Sequence, residues 1–408
     1  MIEILTTAKQ NNENITLFGA LDEKERTITL KYHVVDAAFE MLREIIYQPP
    51  TDIAVVDMSG NMYSVYNCKF LNNTLSFGGD TVSSIKGRFS RVIKEREIAK
   101  SYNEVSFSFK GIEQFFSLES LVTTFDDNYK SFSIAQGEHT PLSHTMKNGM
   151  VISVESMFGG VIQGTNVYNL DISQTKVITV SFPAKKTVDD LLLIVFRIKQ
   201  YFEFICEQEL QIEKVSFCQS EDKYMKSVLV ADPILTPKTY VRPVKDRPYI
   251  GTPDELIKGL DGWLSSFDKF KDVISIWEKT IYNVNVSQDD LFIWRSQAFE
   301  LICTLEDAVY EKAQERMAPD QKEPNLRNFM SAVSSIYNLL PNIDVQYFGD
   351  AKEVRDKLTH HNPKKNITED QKKNSYTLIK YFLVSIFVEI FGISGVSRSL
   401  ILLSRTKN

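Results

Sequence analysis

Two adjacent histidines follow an arginine in the segment at residues 354–363 of the 408-residue sequence. Four residues separate Arg355 from His360, and Asp356 and His361 lie beside them. A histidine titrates near neutrality and can accept or donate a proton, whereas a guanidinium stays charged and can hold two phosphate oxygens at once. The combination predicts acid–base chemistry at a phosphate group, with His360 as general base or acid and Arg355 stabilising the negative charge.

The spacing alone is not specific, because Arg26 and His33 have a similar separation, with six residues between them. That pair belongs to an alternating segment, where an extended backbone holds the two side chains roughly 20 Å apart, at about 3.3 Å per residue. Context favours the other pair, since amphipathic helical patterns precede and follow it and Pro363 disfavours helical geometry at Asn362.

Arg355, Asp356 and His360 resemble the signature of HEPN-domain ribonucleases, in which an arginine and often a polar residue are followed a few residues later by a histidine. The run at residues 297–306 is similar to the helix of ApeA-type HEPN proteins that ends in a Leu-Glu pair near the active site. Glu306 is then the corresponding acid. Residues 17–21 and 85–89 also resemble the amino-terminal domain of ApeA-type anti-phage proteins.

This resemblance implies a small helical bundle that cleaves RNA, tRNA being one candidate, without a metal or another cofactor. It also implies a homodimer in which two copies of the motif helix form one composite cleft. On one continuous helix, positions five apart point about 140° away from each other, at about 100° per residue. We therefore expect the helix to end or distort there, and the resemblance offers a second answer, in which a second chain completes the site.

Several further residues around the motif are candidates. Asp356 can hydrogen-bond His360 on one helical face and orient the imidazole, and the alternative is a solvated carboxylate. His361 is either a second catalytic group or a capping residue in the last helical turn. Lysines make this neighbourhood basic, as RNA phosphates require, although a solvated charged face is the alternative explanation. They are Lys352, Lys357, Lys364, Lys365, Lys372 and Lys373.

The composition is that of an ordinary globular protein, with 43% hydrophobic and 25% charged residues. A formal net charge of −6 argues against a protein that coats nucleic acid by bulk electrostatics, so any contact with RNA must be local. The four cysteines are far apart and form no C-x-x-C pair, which indicates neither a zinc site nor a disulfide framework.

We expect a cytoplasmic protein without membrane contact. The first residues lack the basic segment and the apolar segment of a secretion signal. The apolar run at residues 381–388 is far shorter than the roughly 20 residues that a membrane span needs.

The sequence predicts an α+β protein with a mostly antiparallel, β-rich domain at residues 1–250 and an all-α HEPN bundle at residues 251–408. Apolar residues alternate in segments such as 27–32, 105–109 and 177–182, which indicates strands with one buried face. Turn signals include residues 57–61 and 78–80 and the pair Gly159 and Gly160. Prolines concentrate at residues 233–253, where the period changes, so the boundary is placed near residue 250.

Helical periodicity interrupts the first region once, at residues 188–207, where Thr187 can cap the helix. Beyond residue 250 the period of 3.6 predicts helices across residues 256–267, 291–305 and 329–340, another begun near Asp350, and a last one from residue 368 to 391. Thr252 and Glu255 form a capping box, Ser287 and Asp290 repeat it more weakly, and Gly392 is a predicted left-handed cap. Pro324 can open the third segment, and Pro341 closes it.

Two other motifs do not indicate a functional site. His139 and His144 lie in a turn-like segment but have no third ligand at a usual metal spacing, so no metal site is expected. The glycines of residues 159–164 lack the spacing and the strand-to-helix context of a phosphate-binding loop.

Three functions follow as hypotheses. The first is an endoribonuclease of anti-phage defence or abortive infection, in which the β-rich domain senses a phage-derived trigger. The second is a catalytically silent HEPN dimerisation module that partners a nucleotidyltransferase or another defence component. The third makes the β-rich domain a carbohydrate- or peptide-binding sandwich, with the helices as a dimerisation platform.

Overall fold

A computed structural model describes most of the chain. The residues it describes are 2–10, 13–33, 52–74, 82–95, 101–116, 121–125, 132–136, 142–163, 169–219, 226–235, 252–283, 285–360 and 366–393. The predicted α+β class is confirmed, because an antiparallel β-sheet region precedes a helical region.

The first part of the chain is built on one large sheet, in which every pair of neighbouring strands is antiparallel. The strands are β1 (Ile2–Gln10), β2 (Glu13–Asp22), β3 (Thr27–His33), β4 (Asp52–Asp57), β5 (Met62–Tyr66), β6 (Lys69–Thr74), β7 (Val82–Arg88), β8 (Arg91–Glu95), β9 (Tyr102–Phe109), β10 (Leu121–Phe125), β11 (Phe132–Gln136), β12 (Leu142–Thr145), β13 (Val151–Gln163), β14 (Asn169–Lys186), β15 (Ile212–Cys218) and β16 (Ser227–Ala231). Fourteen of them follow the order β12-β13-β14-β9-β15-β16-β8-β5-β4-β1-β2-β3-β7-β6, while β10 and β11 pair separately.

The predicted strands are confirmed, and so is one of the three predicted turns. The three alternating segments lie in β3, β9 and β14, and Asp57 organises the predicted turn by accepting backbone N–H bonds from Ser59 and Asn61. The turn at Gly159 and Gly160 is wrong, since both glycines pair with β14 inside β13. A long cross-strand ladder outweighs the local turn propensity of the glycine pair there. Residues 78–80 and His139 lie outside the described part.

The predicted helix after the sheet is α1 (Val188–Cys206). Thr187 accepts from the Asp190 backbone and Asp190 reaches back to Thr187, so the helix begins with a capping box. Glu207 ends it in a left-handed conformation. The helix packs on β9, where Phe202 contacts Phe109 with ring centroids 5.0 Å apart.

The helical region is largely as predicted. Its helices are α2 (Pro253–Tyr282), α3 (Gln288–Leu305), α4 (Asp307–Gln314), α5 (Leu326–Ile336), α6 (Gln346–His360) and α7 (Glu369–Ile390). The full capping box at Thr252 and the left-handed Gly392, with φ of 63°, are confirmed, while Ser287 caps α3 through the Asp290 N–H. Asn325, rather than Pro324, caps α5. Helix α4 was not predicted, and α5 stops at Ile336, before the left-handed Asn338 and Leu340.

The sheet and the helices share a continuous hydrophobic core that includes α1 and residues of α2 to α7. Trp263 of α2 is fully buried among the rings of Phe204, Tyr201 and Phe391, and its indole Nε1 donates to the Arg197 carbonyl at 2.9 Å. A second, smaller core lies among β1 to β5 and β8. The division near residue 250 stays a prediction, and apolar packing crosses it.

A buried polar cluster also joins α1 to the end of α2. Glu203 is 0% exposed and accepts from Lys199, from the Tyr282 hydroxyl at 2.6 Å and from the Leu210 backbone at 2.8 Å. Burial raises the pKa of Glu203, although Lys199 favours the ionised carboxylate. These bonds satisfy polar groups that are costly to bury alone.

Candidate active site

Helix α6 carries the predicted catalytic pair. Phe348, Ala351 and Val354 form its buried face, and Phe348 meets Phe382 of α7 edge-on, with centroids 5.5 Å apart. Burial of these positions at helical spacing fixes the rotation of α6 about its axis. Arg355, the next residue, therefore lies at the margin of the buried face.

Arg355 is held by two carboxylates. Its Nη2 donates to Oε2 of Glu300 on α3 at 2.6 Å, and its Nη1 donates to Oδ1 of Asp356 at 3.4 Å. The side chains of Arg355 and Glu300 are 28% and 18% exposed. The guanidinium is thus tied to a neighbouring helix at the edge of the bundle.

Asp356 binds cations rather than the predicted imidazole. Its Oδ2 accepts from Lys352 at 2.6 Å, one helical turn earlier, and its Oδ1 accepts from Arg355. His360 is not among the hydrogen-bond partners of Asp356 in the described part of the chain. The orienting role expected for Asp356 is therefore not present in this conformation.

His360 is exposed and is the last residue of α6. The helix was expected to end or distort between Arg355 and His360, but it continues through both residues, so that expectation is wrong. Thr359 donates from its hydroxyl to the Arg355 carbonyl at 2.8 Å, as a side chain on a regular helix does. At about 100° per residue, Arg355 and His360 point about 140° apart.

Glu306 lies at the junction of α3 and α4 and contacts α2 instead of α6. Its carboxylate accepts from Lys269 at 2.7 Å. Positions six apart on a helix differ by about 120° in direction, at about 100° per residue, so Glu300 and Glu306 face different neighbours. Glu300 is the residue that sequence reasoning missed, although it lies in the run of residues 297–306 that resembles the ApeA-type helix.

The surroundings of Glu300 are weakly solvated. Burial raises the pKa of Glu300, even though the nearby Arg355 favours the ionised carboxylate. Burial likewise raises the pKa of the Cys303 thiol, one helical turn later. An apolar setting of this kind strengthens the electrostatic interaction between Glu300 and Arg355.

The predicted basic residues are only partly described. Lys352 is paired with Asp356, Lys357 is half-buried, and Lys372 pairs with Glu369 at 3.4 Å. His361, Lys364 and Lys365 lie outside the described residues. Their roles stay predictions.

Within the described residues, no group of three or more His, Cys, Asp or Glu side chains could hold a metal ion. His144, one of the two rejected histidines, lies in β12.

A comparison with known families identifies the first part of the chain. A family model described as ApeA N-terminal domain 1 matches residues 4–274, about two thirds of the chain. The chain belongs to the ApeA family. This assigns it to the anti-phage defence proteins that residues 17–21 and 85–89 resemble. No curated protein and no solved structure matches the chain.

The matched ApeA domain comprises the sheet, α1 and most of α2, because residue 274 lies inside Pro253–Tyr282. Glu300, Arg355 and His360 all follow it. Among the described helices of this ApeA protein, none is both long and apolar enough to cross a membrane.

Proposed function

We propose that this ApeA-family protein is a metal-independent RNA endonuclease of anti-phage defence, with its active site on α6. The observation that carries the proposal is the Arg-x4-His motif on one helix, with the Arg355 guanidinium anchored at the edge of the bundle and His360 exposed beyond it. The family assignment supports the role in defence.

The chemistry follows from these two side chains. His360 takes the proton of a ribose 2′-hydroxyl, whose oxygen then attacks the adjacent phosphorus. The bond from phosphorus to the 5′-oxygen breaks, and a protonated histidine supplies that oxygen with its proton. Arg355 stabilises the charge that builds on the non-bridging oxygens. The products are a 2′,3′-cyclic phosphate and a 5′-hydroxyl.

We further propose that the working site is made by a homodimer. Within one chain, Arg355 and His360 point to different sides of a continuous helix. A second α6, related by a two-fold axis, is therefore needed to bring copies of both residues into one cleft. Two copies of His360 then act as base and acid. In this scheme the ApeA domain senses a phage-derived trigger, and tRNA is one candidate substrate.

One observation favours a different function. Two carboxylates contact Arg355, and this pairing also suits a purely structural arginine in a silent dimerisation module that partners another defence component. Such a module tolerates loss of His360, whereas a nuclease does not.

The test compares RNA cleavage by the full-length wild type with that by Arg355→Ala and His360→Ala. Matched controls are Arg327→Ala, an exposed arginine of α5, and His144→Ala in β12. We expect activity in the wild type and both controls, loss in both site variants, cleavage that persists with chelator, and a cyclic phosphate end. Equal activity in all five proteins refutes the assignment, and abolition by chelator refutes the mechanism.

A further inference from the structure

The ion pair between Glu300 and Arg355 connects two helices that are distant in sequence. Fifty-five positions separate the residues, yet Nη2 of Arg355 lies 2.6 Å from Oε2 of Glu300. Both side chains are mostly buried, and the helices that carry them, α3 and α6, are in contact. This pair is therefore a fixed feature of the bundle rather than an ion pair between two mobile surface residues.

The bond to Glu300 restricts the guanidinium without using all of it. Within the described residues, Arg355 donates through Nη2 to Glu300 and through Nη1 to Asp356, and a guanidinium has more N–H donors than these two bonds use. Lys352 holds Asp356 in turn. The remaining donors of Arg355 are therefore held in one orientation.

Such restriction matters for catalysis. A free arginine side chain samples many rotamers, and ordering it against the reacting phosphate costs entropy in the transition state. A group that is already fixed avoids that cost and keeps its donors directed at the place where charge develops. Burying an ionised carboxylate is unfavourable, as the raised pKa of Glu300 indicates. If this position served only packing, an uncharged residue would fill it at a lower cost in free energy.

We propose that Glu300 is a positioning residue of the nuclease site, which holds the Arg355 guanidinium so that its remaining N–H donors meet the scissile phosphate. This inference rests on the proposed function. Glu300 acts through Arg355 and does not itself touch RNA.

The experiment measures single-turnover cleavage and RNA affinity separately, in full-length protein, for Glu300→Ala and Glu300→Gln. Glutamine keeps an acceptor for Arg355, whereas alanine removes it. Glu311→Gln, at an exposed position of α4, controls for loss of one negative charge. Urea unfolding of each protein verifies that it is folded, and wild type and His360→Ala are measured in parallel.

We expect Glu300→Ala to lower the cleavage rate by about 100-fold, the scale of an ångström-sized misplacement of a catalytic group, with RNA affinity nearly unchanged. Glu300→Gln should recover part of the rate, and Glu311→Gln should match the wild type. A folded Glu300→Ala protein with wild-type rate overturns the inference, and so does a faster one, which would make Glu300 an inhibitor of Arg355. An inactive wild type overturns the proposed function as well.

Discussion

Gly262 lies where the first helix of the helical region meets the end of the last one. A methyl carbon at this position would stand 2.7 Å from the carbonyl carbon of Phe391 and closer still to its oxygen. Real Cβ atoms essentially never come so near to a backbone atom, so the end of α7 would have to shift. We therefore predict that Gly262→Ala destabilises the protein.

The sign of this change follows from two opposing magnitudes. Inside a helix, alanine is favoured over glycine by about 1 kcal/mol. Forcing a methyl group into a filled core typically costs about 1–3 kcal/mol, and backbone offers less relief than a flexible side chain. With the cost in the upper part of that range, about 2–3 kcal/mol, the net expectation is a loss of about 1–2 kcal/mol, so steric exclusion should outweigh helix propensity.

Gly349 provides the matched control. It lies in α6, and a methyl group there would meet no heavy atom within 4 Å. Gly349→Ala should therefore stabilise the protein by up to about 1 kcal/mol. Because both variants share the propensity gain, their difference isolates the overpacking cost of about 2–3 kcal/mol at Gly262.

The assay is urea unfolding followed by circular dichroism, with midpoints compared at an unchanged slope. A lower midpoint for Gly262→Ala and a raised one for Gly349→Ala are expected. If Gly262→Ala is as stable as the wild type, the close approach of α2 to the end of α7 is refuted.

Three further predictions follow. The hydrogen bond from the Asn61 side chain lowers the pKa of Asp57 to about 2, below its ordinary 3.8. The ionised Asp57 carboxylate therefore stabilises the folded protein above pH 3.8, and this stabilisation is lost as the pH falls through about 2. The melting-temperature advantage of wild type over Asp57→Asn should thus shrink with acidification, and a growing gap contradicts this. Arg355→Lys should lose most RNA cleavage despite its retained charge, because an ammonium cannot reproduce the planar fork, whereas a wild-type rate would mean that charge suffices. Glu203→Leu leaves Lys199 buried without its carboxylate partner and should lower the free energy of unfolding, measured in urea, by about 3–5 kcal/mol. A decrease below about 1 kcal/mol would contradict a buried ion pair between these residues.

Features that depend on local sequence were predictable. Thr187, Thr252 and Thr368 each precede an acidic or amide side chain three residues later, and all three begin a helix in the structure with a capping box. Helix α4 escaped prediction, because only two of its residues, Val309 and Ala313, are buried and its apolar periodicity is weak. The turn predicted at Gly159 was wrong, because this strand is determined by its pairing with β14 and not by the local sequence.

The candidate site also has one part that local sequence predicts and another that depends on tertiary packing. The motif of Arg355 and His360 can be found in the sequence because it lies within six consecutive positions, and its catalytic role stays a prediction. The partner of Arg355 cannot be found in this way, since Glu300 lies 55 positions away and is selected by how α3 and α6 pack. Sequence spacing predicts the motif, and tertiary packing determines which carboxylate holds the Arg355 guanidinium.

This packing also determines how the site can be studied. The family match ends at residue 274 within α2, yet Trp263 of that helix contacts Phe204 of α1 and Phe391 after α7. A chain cut near residue 250 would expose Trp263 and remove the acceptor of its indole N–H, which is the Arg197 carbonyl. Helix α7 in turn contacts Phe348 of α6, the helix with the motif. Exposed apolar surface on α2 would thus disturb the helices that position Arg355, so loss of activity in such a fragment would not distinguish a missing trigger domain from an incomplete core.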